Sequence, residues 1–76
     1  MTQKPFVMFG LALPELDGAR IVEMSVRKVG DGGRELLVTL DFRQHYFKET
    51  GRGANLQEAF VDWTHRMYER LGFSMP

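Results

Sequence analysis

Apolar residues change their spacing once along this chain. Over residues 34–43, Leu36, Val38, Leu40 and Phe42 recur at every second position, the period of an extended strand with one buried face. After Asn55 the apolar positions Leu56, Phe60, Trp63, Met67 and Leu71 step by three and four, the period of a helix with one buried stripe. Strands followed by one covering helix are the predicted order.

Residues 6–13 lie between Pro5 and Pro14 and are rich in aromatic and branched side chains, which predicts a first strand. It is apolar on both sides, with Phe6 and Met8 on one and Val7, Phe9, Leu11 and Leu13 on the other. A turn at residues 15–18 leads to a second strand over 19–29, with Val22, Met24 and Val26 inward and Glu23, Ser25 and Arg27 outward. The third strand covers 34–43. Residues directly opposite in an antiparallel pair share a face, so the even-numbered inward rows of the second and third strands must pair with each other. The loop between them is therefore odd in length; three residues centred on Asp31, with a glycine in the left-handed position, satisfy both rows and set Arg27 against Glu35.

Residues 44–53 show no clean period and end in Gly51, Arg52 and Gly53, which predicts a loop that extends the third strand at most through Tyr46. The helix is better marked. Asn55 is a good N-cap with Glu58 three residues on, Gly72 suits a left-handed C-cap with Phe73 folding back on Met67 or Tyr68, and Asp62 and Arg66 are spaced for an ion pair. The expected fold is α+β: one small domain over residues 1–76, a three-stranded antiparallel meander (β-β-β-α) with the C-terminal helix packed on one face. One helix cannot cover two sheet faces. Val7, Phe9 and Leu11 with Leu37 are then expected on the uncovered face as a protein interface, with self-association or a partner protein to cover it.

Composition narrows the classes. The 76 residues hold one small core, and without cysteine there is neither a disulfide framework nor a thiolate metal site, which favours a reducing compartment such as the cytoplasm. Ten basic and ten acidic residues cancel, removing the overall field that drives nonspecific binding to nucleic acid or anionic membranes. The apolar run at residues 6–13 is too short to span a bilayer, and neither a signal peptide nor membrane association is expected.

Candidate chemistry is sparse. His65 lies near Asp62 and Glu69 on the helix, but His45 is twenty residues away and no fourth ligand stands near, so a solvated helix face is favoured over a metal site. Neither Ser25 nor Ser74 has a neighbouring base, so no catalytic residue, cofactor or small-molecule substrate is predicted. Arg52 and Gly53, at the entry to the helix, form a possible anion contact, although the glycines and lysine of a phosphate loop are missing. Arg20, Arg27, Lys28, Arg34, Arg43 and Arg52 with Tyr46 and Phe47 suggest a nucleic-acid surface, against which Glu23, Glu35, Asp41 and Leu37 interrupt any stacking platform.

Asp31, Gly32 and Gly33, then a strand, then Asn55, Leu56, Gln57, Glu58 and Ala59 opening a helix, is similar to the order of elements in HicB-type antitoxin domains. The likeness covers under half the chain, and Leu40, Asp41, Phe42 and Arg43 stand where that family carries a Pro-Asp-containing segment, so it assigns no family. The format, a small cysteine-free β-β-β-α chain with surplus apolar surface, resembles phage-encoded inhibitors such as anti-CRISPR proteins. The expected function is a non-enzymatic protein-binding module, a small inhibitor or regulator that docks on a larger complex, with a nucleic-acid-binding or antitoxin-like domain as the alternative.

Overall fold

A computed structural model describes residues 4–74. In chain order the elements are β1 (Val7–Met8), β2 (Leu11–Ala12), a 3-10 turn at Pro14–Leu16, β3 (Arg20–Val29), β4 (Gly33–Phe42), β5 (His45–Gly53) and α1 (Leu56–Leu71). β3, β4 and β5 form the antiparallel meander in that order, and β1 pairs with β2 in a small sheet of its own. The α+β class and the helix-on-sheet packing agree with the sequence pattern, but the strands that build the meander are shifted by one.

The expected single strand over residues 6–13 is instead a tight hairpin. Phe9 and Gly10 take positive φ values of 51° and 77°, the two central positions of a primed turn, and Met8 pairs back on Leu11. The reversal sends Phe6, Met8, Leu13 and Leu16 into the main core. Backbone and side-chain bonds fasten the segment: Leu13 N–H donates to the Phe6 carbonyl at 3.0 Å, Phe6 N–H to Asp17 Oδ1 at 3.0 Å, and Gly18 N–H to the Lys4 carbonyl at 2.9 Å.

The expected loop over residues 44–53 is the third meander strand, β5, running alongside β4 from Phe42↔His45 to Arg34↔Gly53. Two causes hid it. Its turn is Arg43 and Gln44, both with positive φ (54° and 67°), a conformation usually signalled by Gly, Asn or Asp. On its inward face, Gly51 stands where alternation would place a large apolar residue, because the helix backbone lies directly on it. A Cβ at Gly51 would meet the Ala59 carbonyl and the Trp63 backbone N–H, and would come within 2.6 Å of Trp63 Cβ. Gly53 is equally confined, against Glu58 and Ala59 N.

The hairpin between β3 and β4 follows the parity argument. Val29 pairs with Gly33, leaving the three-residue loop Gly30, Asp31 and Gly32, with Gly32 at φ 97°, and Arg27 stands opposite Glu35. The helix ends are also as expected. Glu58 N–H donates to Asn55 Oδ1 at 2.9 Å while Glu58 Oε1 accepts from Ala54 N–H; Gly72 is left-handed and Phe73 N–H donates to the Tyr68 carbonyl at 2.8 Å.

α1 packs on β5 and β4. Leu36, Val38, Leu40 and Phe42 are buried against Phe60, Trp63 and Met67, and the N-terminal segment completes this core beside the helix. The expectation that the same helix covers Val22, Met24 and Val26 is overturned: seated on Gly51 of β5, it lies too far across the sheet to reach β3, every residue of which is exposed.

Candidate protein interface

β3 has one hydrogen-bonding edge occupied by β4 and the other free, since it is an outer strand of the sheet. Its face on the helix side continues the core rows outward. Ile21 lies opposite buried Leu40, Met24 opposite Val38 and Val26 opposite Leu36, yet these three are 37, 48 and 46 % exposed. Val22, the extra residue where the register shifts between Ile21 and Glu23, is also exposed. A ten-residue strand with an open edge and an uncovered apolar row is an unusual surface, because long edge strands invite pairing by another chain.

The opposite face of the sheet is polar. Its centre is Glu35, buried to 6 % exposure between Arg27 of β3 and Arg52 of β5, whose Nε atoms lie 2.6 Å and 2.8 Å from its two carboxylate oxygens. The paired guanidiniums hold the Glu35 carboxyl below the usual range, outweighing the opposing effect of burial. Arg52 also donates its backbone N–H to Asp62 Oδ2 at 2.8 Å. Arg52 of the expected anion contact thus meets carboxylates of its own chain, and Gly53 serves close helix packing. Arg20 pairs with Asp41 at 3.1 Å.

The four interface residues expected from the sequence are not brought together. Val7, Phe9 and Leu11 are each about half exposed on the N-terminal hairpin, where the Phe9 ring packs edge-on to Phe60 at 5.2 Å. Leu37 is partly buried on the polar face, between Ser25 and Thr50 in register. Their hairpin instead borders a shallow groove of about 300 Å³ against the helix, lined by Leu11, Leu13, Phe60, Val61, His65 and Tyr68. Tyr68 closes one end by donating to Glu15 Oε1 at 2.8 Å, and burial together with this bond pushes its hydroxyl well above the ordinary tyrosine range.

The β3 row was named by the sequence as core and is in fact surface. Alternation reports that one face is apolar but not whether a helix of finite width reaches it. Among the described residues, no three His, Asp or Glu side chains gather as a metal site, and no helix is long and apolar enough to cross a membrane. The chain matches no family model, and no match to it was found among curated proteins or solved structures.

Proposed function

We propose that this chain is a non-enzymatic protein-binding module that engages its partner by strand addition along β3. The observation that carries the reading is the ten-residue outer strand, exposed throughout, whose apolar row Ile21, Met24 and Val26 continues the buried rows of β4. Strand addition supplies main-chain hydrogen bonds for affinity, and alternate side chains supply specificity. Such a module, acting in a reducing compartment such as the cytoplasm, suits a small inhibitor or regulator that occupies a surface of a larger complex. The nucleic-acid alternative has less support, because Arg20, Arg27 and Arg52 already carry carboxylate partners on the face where phosphates would lie.

The test is capture from the native host with tagged wild type and with Val26→Lys, a charge on an open edge that opposes pairing. Proteins retained by wild type should be lost from the variant while Trp63 fluorescence is unchanged. Retention of the same proteins by both, or of nucleic acid alone with a steep salt dependence, would sink the reading.

A further inference from the structure

We infer that in the free protein the strand seated on β3 is a second copy of this chain, paired antiparallel about a two-fold axis through Ser25 and exchanged for the partner on docking; this rests on the protein-binding reading above. A two-fold interface must be self-complementary, with each residue meeting its counterpart's partner. The segment Glu23, Met24, Ser25, Val26 and Arg27 has that property when reversed on itself.

With Ser25 on the axis, Met24 faces the partner's Val26 and Glu23 faces the partner's Arg27. Because Met24 already lies beside Val38 and Val26 beside Leu36, the apolar row then runs unbroken from one core to the other: Val38, Met24, the partner's Val26, the partner's Leu36. On the polar face the row reads Arg52, Glu35, Arg27, the partner's Glu23, alternating in sign at every step. Glu23 has no ion pair within its own chain among the described residues, so the pairing gives it one.

Neighbouring registers fail on charge or on face. An axis through Glu23 stacks two carboxylates, and one through Arg27 stacks two guanidiniums. An axis through Met24 sets Glu23 against Ser25, and an axis through Val26 sets Arg27 against Ser25, each leaving the charge unmatched. An axis between residues brings the apolar row of one copy against the polar face of the other.

The chain has no native cysteine, so single cysteines report the register without background. The experiment is light scattering of wild type across micromolar concentrations, together with mild oxidation of dilute Ser25→Cys, Glu23→Cys and Arg27→Cys. Wild type should scatter as twice the chain mass and Val26→Lys as one chain. Ser25→Cys should cross-link to itself at least about tenfold faster than Arg27→Cys, because the dimer holds its two sulfurs at high effective concentration. Glu23→Cys mixed with Arg27→Cys should form the mixed dimer in preference to either self-linked product. A monomeric wild type, or equal cross-linking at positions 25 and 27, overturns the inference. If wild type is monomeric while Val26→Lys still loses a host protein, the second copy is excluded and the protein-binding reading stands; if Val26→Lys changes neither, both fall.

Discussion

Gly51 decides where the helix sits. Its missing side chain lets the backbone of α1 rest on β5 at Ala59 and Trp63, and no rotamer adjustment can absorb a methyl aimed at backbone atoms. Gly51→Ala is therefore expected to cost about 3 kcal/mol, at the upper end of overpacking effects, read as a lowered urea midpoint by Trp63 fluorescence; a change within the range of ordinary surface substitutions would show that the helix can shift. Glu35 contributes to acid behaviour. Its carboxyl is held below the ordinary range by Arg27 and Arg52, so its contribution to stability is complete above about pH 4.5, the unfolded value, and is lost as pH falls through the lower folded value. Urea midpoints measured from neutral pH down to acid should fall less steeply for Glu35→Gln than for wild type, with the difference confined to that acid window. The Arg27–Glu35 pairing was legible from loop parity alone, whereas the role of Arg52 was not, because residues 44–53 carry no strand period.

The elements that read clearly were those whose local signals agree with their packing. The α1 boundaries followed from Asn55, Glu58 and Gly72, and the β3–β4 hairpin from alternation plus a glycine loop. β5 was illegible because its inward positions hold Gly51 and Gly53 rather than large apolar groups, so close packing erased the periodicity that usually reveals it. Residues 6–13 misled for the opposite reason: apolar side chains on both sides suited a strand buried twice, while the turn at Phe9 and Gly10 gave only one glycine as warning. The β4–β5 turn is the element most open to improvement. Gln44 is exposed at φ 67°, a conformation that costs a residue with a Cβ about 1–2 kcal/mol. Gln44→Gly is expected to stabilise the chain by about 0.5–1 kcal/mol, net of the flexibility glycine adds to the unfolded state; a lower thermal midpoint for the variant would contradict this. Arg43 is a poorer choice, since its guanidinium lies 4.7 Å from the centre of the Phe42 ring.

For the molecule as a whole, surplus apolar surface was legible but its address was not. The sequence placed it on the N-terminal residues and Leu37, assuming that the helix would cover both long strands; the helix covers β4 and β5, and the larger uncovered row lies on β3. From residue 20 onward each element neighbours the next in space, so the meander and helix assemble through contacts near in sequence, the arrangement associated with rapid folding. The N-terminal segment is the exception, joined to the helix across 53 positions by the Glu15–Tyr68 bond. During synthesis, Phe6, Met8, Leu13 and Leu16 leave the ribosome before the helix that completes their pocket has been made. At about 5–20 residues per second that interval lasts roughly 3–10 s. Throughout it, four of the residues destined for the core are available to any chaperone that recognises exposed apolar chain, so this segment, made before the meander and the helix, waits longest for the partners that complete its fold.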